Sequence, residues 1–242
     1  MQNRTEHEVY VSNAMEWLWG VVLFILMSVS LVPMLEILSA AYAYLSLIGI
    51  ALAFPAGLFA SFATYATLAG LLNALLPPVK EGIFTHDSGD SIKVNWMLHY
   101  GINNFVRVFA FQRLLQSNPL LRRLYFTLFG ARVHPRAKIS YETNFLDPSL
   151  VEIGKGTKIG AYTIIAGHYS DNSSFVIGRV RIGINSLIGG EVLIAPGVRI
   201  GDDAVIEARS SILPGTVVPS GEVWGGTPAR FRRKVCMPEN AG

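Results

Sequence analysis

From Ile182 onward an aliphatic residue returns at every sixth position. The series is Ile182, Ile188, Ile194, Ile200, Ile206, Ile212 and Val218, and Trp224 closes it. Gly or Ala often follows at once, as at Gly183, Gly189, Ala195 and Gly201. A small or β-branched residue often sits four places on, as at Ser186, Val192, Val198, Ala204, Ser210 and Thr216. A helix repeats every 3.6 residues and a strand every 2, so a period of six fits neither. It predicts a chain that turns a corner every six residues and points one side chain per flat face inward. That is a parallel β-helix, with three faces to a coil. Looser units precede the regular run, at Val133, Ile139 and Phe145. A two-residue slip comes before Ile153, which Ile159 and Ile165 follow. Between Gly167 and Gly178 the repeat breaks, then resumes one residue out of phase. The break predicts an inserted loop in an array of about five coils, and such loops often form the binding face.

Upstream the pattern differs. Trp17 to Leu76 runs for 60 residues with one charge, Glu36. A bilayer core about 30 Å thick takes roughly 20 apolar residues per helix, which predicts two membrane spans or three with almost no loop. Two are favoured, with Pro33 kinking the first, a turn near Gly49 or at Phe54-Pro55-Ala56-Gly57, and Pro77-Pro78 ending the second. Glu36 is costly at membrane depth if ionised. Residues 1–16 are polar and lack the features of a cleaved signal peptide. From Ser91 to Gly130 there are five cations (Lys93, Arg107, Arg113, Arg122, Arg123), no acid, and interleaved aromatics including Trp96, Phe105, Phe109 and Phe126. This predicts amphipathic helices lying on an anionic leaflet, or packed as a collar on the open end of the solenoid, which is compatible with membrane contact. Membrane adjacency argues against nucleic acid as the partner of these cations.

The expected layout is therefore a polar tail over 1–16, a transmembrane hairpin over 17–79 and a basic amphipathic linker over 80–132. A β-helix follows over 133–231, and a basic tail over 232–242. Residues 77–138 hold nine Lys or Arg against three acids. The positive-inside rule then places the solenoid on the cytoplasmic side of a bacterial inner membrane, with the chain multi-pass. The composition is 51% hydrophobic and 15% charged, too apolar for an ordinary soluble domain. The lone Cys236 can make neither an internal disulfide nor a thiolate metal cluster.

Of five histidines, His168 lies where the repeat breaks, in Ile165-Ala166-Gly167-His168-Tyr169. An imidazole ordinarily exchanges its proton near neutral pH, so a histidine beside a rigid scaffold can serve as a general base. An acid or amide facing it would fix its tautomer, and Asp147 and Asn144 lie about one and a half coils earlier. Asp147 followed by proline is equally a turn residue.

The run from Ile159 to Phe231 resembles the hexapeptide-repeat acyltransferases, in particular the maltose and galactoside acetyltransferase branch. The residues that carry the likeness are Val180 to Gly190, Ile194 to Asp202 and the closing Gly225 to Arg230. The resemblance implies a left-handed β-helix, a homotrimer with active sites between neighbouring solenoids, and no permanently bound cofactor or metal. It implies His168 as the base that activates a hydroxyl or amine for attack on an acyl-CoA or acyl-carrier-protein thioester. It also implies a donor channel at Gly189, Gly190, Ala195, Pro196, Gly197 and Ala208, with Thr227, Pro228 and Arg230 near its far end. Corner geometry alone explains most of these glycines without a ligand. Leu187 stands where that branch usually has an aromatic, which opens the donor pocket to other acyl groups. A second likeness covers the apolar helices, the linker, Leu128 to Val133 and Asp147 to Gly154. These resemble the membrane-bound C-terminal domains of poly-ε-lysine synthetase-type nonribosomal peptide synthetases, which implies amide formation as an alternative. Two further alternatives stay open. One is a γ-class carbonic anhydrase, for which the solenoid offers only His134 and His168 as ligands. The other is a trimeric membrane scaffold without catalysis.

Overall fold

The computed structural model describes residues 6–85, 91–108, 111–172 and 174–235; His86, Phe109 and Cys236 lie outside them. The chain divides into two compact units, the first ending at Leu75 and the second starting at Leu76.

The first unit is one helical run, α1 (Glu6–Leu75), with a break at Ser46, where φ is 57° and ψ −142°. The helix thus begins inside the polar tail rather than at Trp17. The break precedes both positions expected for a turn, and Pro33 and Pro55 lie within helix. A methyl group built on Gly57 would come 3.2 Å from Met34 Cγ, so the residues on either side of Ser46 pack closely. Gly20–Leu75 is long and apolar enough to cross a membrane. Its large apolar side chains are open: Phe24 is 71% exposed, Leu47 74% and Leu52 72%. Glu36 is exposed as well.

In the second unit a short strand, β1 (Gly82–Thr85), leads to three helices: α2 (Ser91–Val108), α3 (Phe111–Ser117) and α4 (Pro119–Leu128). The Asn118 side chain caps α4 by accepting from the amides of Leu120 and Leu121, and proline sits at the first helical position, where no donor is needed. The solenoid follows. Coil 1 is β2 (Arg132–Val133), β3 (Lys138–Ile139) and β4 (Asn144–Phe145). After a 3₁₀ turn (Pro148–Leu150), coil 2 is β5 (Val151–Ile153), β6 (Lys158–Ile159) and β7 (Ile164–Ile165). Then come β8 (His168–Ser170) and β9 (Ser174–Ile177). Coil 3 is β10 (Val180–Ile182), β11 (Leu187–Ile188) and β12 (Leu193–Ile194). Coil 4 is β13 (Arg199–Ile200), β14 (Val205–Ile206) and β15 (Ser211–Ile212). The last coil has two faces, β16 (Val217–Val218) and β17 (Glu222–Gly226), and β18 (Ala229–Lys234) folds back antiparallel on β17.

The strands of each face pair in parallel, and the inward isoleucines stack in register. Ile153, Ile182, Ile200 and Val218 line one face, and Ile165, Ile194 and Ile212 another. Ile188, Ile194, Ile206 and Ile212 are at most 1% exposed. The small residues two places before them are buried too, because their side chains meet the corners. Buried hydroxyls there find backbone partners: Thr163 Oγ1 donates to Gly189 O at 2.9 Å and Ser186 Oγ to Gly201 O at 2.8 Å. Non-glycine residues turn several corners at positive φ, among them Tyr162, Glu191 and Arg209.

Neighbouring coils are joined by ladder bonds, as between Asn144 N and Thr163 O. Coil 1 has no coil before it, so its outer edge presents unpaired backbone groups, an open edge that invites pairing with another chain. The helices close it. Asn103 Nδ2 donates to both Phe145 O and Leu146 O at 3.0 Å, and Gln116 Nε2 reaches Thr143 O at 3.2 Å. Asn103 Oδ1 in turn accepts from the Tyr125 hydroxyl at 2.8 Å, deep in the interface, and burial pushes that hydroxyl's pKa up. The linker thus packs as a collar on the open end of the solenoid, a placement compatible with membrane contact.

The interruption at 167–178 is strand rather than loop. β8 and β9 form an antiparallel hairpin, and β1 joins its far side to complete a three-stranded sheet. Glu81, just ahead of β1, fastens the join. It pairs with Arg179 and Arg181, each at 3.3 Å. Partial burial alone would raise the Glu81 pKa, but the Arg179 amide and the two guanidinium charges outweigh it and hold the carboxyl below its usual range.

Candidate active site

His168 opens β8, where the chain leaves the corner after Ile165. Its Nδ1 lies 2.7 Å from Asp147 Oδ2. The same oxygen accepts the amide of Gly167 at 2.8 Å, and the other, Oδ1, accepts the indole N–H of Trp96 at 2.8 Å. Asp147 is 4% exposed, so these three donors stand in for the water it has lost. Gly167 has to be glycine: a methyl group there would meet Leu150 Cδ1 at 2.7 Å and Asp147 Cβ at 2.9 Å. The carboxylate has no proton of its own to give, so the ring donates from Nδ1. That leaves the lone pair of the neutral ring on Nε2.

Aromatic rings confine the imidazole. Trp96 and Tyr100, one turn apart on α2, lie 4.7 and 4.9 Å from it between centroids, and Phe175 of β9 lies at 6.3 Å. Trp96 also packs on Phe175 at 4.6 Å. Val79, Leu150 and Ile177 complete this cluster. The His168 side chain keeps 19% of its surface open. A ring fixed on one nitrogen and still partly open to solvent suits proton transfer.

The other histidines are differently placed. His99 is buried, with Nε2 2.9 Å from Pro77 O, and burial lowers its pKa, partly offset by that carbonyl. His134 is exposed and accepts the Arg136 amide. Among the described residues no three His, Cys, Asp or Glu side chains converge to hold a metal ion.

Asn144 is not part of the pair. Its side-chain Oδ1 is buried without a hydrogen bond, and its backbone is held in the ladder to coil 2. The residues expected along a donor channel fall on two columns of corners. Gly189, Gly190 and Ala208 stack in one: a methyl on Gly189 would come 2.5 Å from the Ala208 amide. Thr227 Oγ1 reaches Arg209 O of that column at 3.4 Å, just before the cis bond to Pro228, and Arg230 is exposed. Ala195, Pro196 and Gly197 form the other corner, directly beyond the hairpin base, where a methyl on Gly178 would come 2.6 Å from the Gly197 amide. Leu187 is 45% exposed on an outer face. Open depressions of about 570 and 820 Å³ lie along two other faces, and His168 lines neither. The convergence of polar groups, rather than volume, marks the site. Trp96, Tyr100 and Phe175 carry no sequence signal for it, because Trp96 is 51 residues from the carboxylate it holds.

No family model matches the sequence. Over 135 residues the chain is 30% identical to a delta-poly-L-ornithine synthetase of Acinetobacter baumannii, a match covering 56% of this chain and 10% of that one. It is 35% identical over 108 residues to the putative acetyltransferase YvoF of Bacillus subtilis, covering 41% of this chain and 62% of that one. It is also 35% identical over 101 residues to the mitochondrial gamma carbonic anhydrase 1 of Arabidopsis thaliana, covering 41% and 37%. The chain thus spans a tenth of the first of these relatives and about three fifths of the second.

Proposed function

From the membership of this chain in the hexapeptide-repeat acetyltransferase family, we propose that it is a membrane-anchored acyltransferase with His168 as general base. The observation that carries this reading is the Asp147–His168 contact of 2.7 Å, which commits Nδ1 and leaves Nε2 as the basic nitrogen. In the proposed step Nε2 takes the proton from an acceptor hydroxyl or amine as its oxygen or nitrogen attacks the thioester carbonyl. The C–S bond then breaks, and the imidazolium returns its proton to the departing sulfur. Asp147 stays ionised and steadies the imidazolium. The donor is a CoA or carrier-protein thioester. Gly189, Gly190, Ala195, Pro196, Gly197 and Ala208 form its channel, and Thr227, Pro228 and Arg230 lie towards its distal end. The solenoid is left-handed and trimeric in this reading, with the channel between copies.

The break at Ser46 divides α1 into two arms, which we read as a membrane-spanning hairpin. The exposed Phe24, Leu47 and Leu52 support that reading, since such a surface is unfavourable in water. The anchor raises the local concentration of a membrane-associated acceptor. The match to the poly-ornithine synthetase favours a second form of the same chemistry, with an aminoacyl donor and an amide product.

The test is release of free thiol by the purified full-length chain, given acetyl-CoA and aminoacyl thioesters with a panel of sugar and amine acceptors. Acceptor-dependent release is expected, and His168→Ala should lower it by roughly 10²–10⁴-fold, the usual contribution of a general base. Equal rates in the two proteins would defeat the assignment.

A further inference from the structure

The solenoid does not complete its own site. Asp147, Gly167, His168 and Phe175 come from the coils and the hairpin, but the second oxygen of Asp147 is held by a residue of the linker, Trp96 on α2. We propose that Trp96 is a positioning residue for His168: its indole N–H fixes the Asp147 carboxylate while its ring fixes the imidazole, so that one side chain sets both members of the pair. This deepens the functional reading above and rests on it.

Three features on the page support the proposal. Trp96 is 8% exposed, so its N–H has no water as an alternative partner. The carboxylate is divided between two sets of donors: Oδ2 serves Gly167 and His168, and Oδ1 serves Trp96. Without the indole, Asp147 loses its only bond on Oδ1 among those described and is held through Oδ2 alone, by Gly167 and His168. The ring is stacked on Tyr100 at 5.2 Å and packed on Phe175 at 4.6 Å, so α2 cannot shift without moving a wall of the imidazole site. Among the described residues, Asp147 and Tyr100 are titratable groups set against the imidazole, and Lys93 Nζ lies 5.9 Å from the Phe175 ring of the same cluster.

Trp96→Phe keeps an aromatic ring and removes the N–H. The sign of its effect follows from the charge. An Asp147 carboxylate with one donor fewer is more basic and attracts a proton on His168 more strongly, so the imidazole should titrate at higher pH. Two readouts are needed. The first is independent of activity: histidine labelled with nitrogen-15, followed by NMR across pH, with the His168 signal identified by its loss in His168→Gln. The Trp96→Phe protein should keep its neutral ring protonated on Nδ1 and show its titration midpoint moved upward. The second is the transfer reaction. Turnover should fall about tenfold with KM unchanged, and the acid limb of the rate profile should move upward with the NMR midpoint, as expected for loss of one hydrogen bond to a charged group. An unmoved midpoint with only lowered thermal stability overturns the proposal and leaves the base assignment intact. If the wild type transfers no acyl group, the functional reading fails, while the NMR arm still decides the role of Trp96. Should the variant fail to fold, the unsubstituted protein gives the answer. The Trp96 indole proton resonance should track the His168 titration, and an indole signal that ignores it overturns the coupling.

Discussion

Coils 3 and 4 and the stretch from Asn144 to Gly178 belong to the same solenoid but are built by different rules. In the regular coils each paired residue lies 18 positions from its partner, as Ile188 does from Ile206, and each face repeats one inward isoleucine. In the other stretch the spacing grows to 20 residues between Val133 and Ile153 and to 29 between Ile153 and Ile182. The extra residues form a 3₁₀ turn and a hairpin. They carry Asp147 and His168, and they admit a strand and a helix from the linker. Local repetition makes the scaffold, and the candidate chemistry sits where repetition fails. A coil that obeyed the period there would present only another corner.

Variants can sharpen that contrast. In the regular coils Ile188→Ala removes a fully buried side chain with no room to collapse. It should cost about 2–5 kcal/mol of stability in a denaturant titration of the full chain. Its effect on thiol release per folded molecule should be small. A large loss of transfer with stability unchanged would erase the division between scaffold and site. At the capped edge Asn103→Ala strips donors from the Phe145 and Leu146 carbonyls and leaves the Tyr125 hydroxyl without its acceptor. About 1–3 kcal/mol is expected for leaving such buried groups unsatisfied. Unchanged stability, or no gain in edge-to-edge association, would mean that the collar is not what protects coil 1.

The smallest effect concerns pH. His99 is buried and its pKa is lowered in the folded state, so the unfolded chain binds the proton more readily. Stability contributed by the neutral ring is present above about pH 6.5, the ordinary histidine value, and is lost as pH falls below it. His99→Gln should flatten the fall in melting temperature on acidification. An identical slope would assign that fall to other groups.

The sequence showed the scaffold because its signal is local and repeated. The isoleucine series from Ile182 to Ile212 needs no partner from elsewhere to be seen, and the break at Gly167 to Gly178 stood out against it. His168 was legible because it fell in that break. The hairpin itself was not, because Gly167 to Gly178 has no two-residue turn signal, and β1 pairs with it from 95 residues upstream, Gly82 with Ile177. Trp96 was visible only as one aromatic among several in a basic linker, since nothing in its neighbourhood records a carboxylate 51 residues away. Asn144, named as an amide that could face the imidazole, has a buried side-chain oxygen without a hydrogen bond, and its backbone is held in the ladder to coil 2. On α1 the even run of apolar residues gave no mark for the break at Ser46, which lies ahead of Gly49 and Pro55, where a turn was expected.

The central claim is that Asp147 and His168 act as one unit in proton transfer. It is tested most directly by a double-variant cycle on acceptor-dependent thiol release, comparing Asp147→Ala, His168→Ala and the two together. The account predicts that the double variant is no slower than His168→Ala alone, because the carboxylate works only through the ring it holds. Losses that multiply, with each substitution acting as though the other were absent, would contradict it.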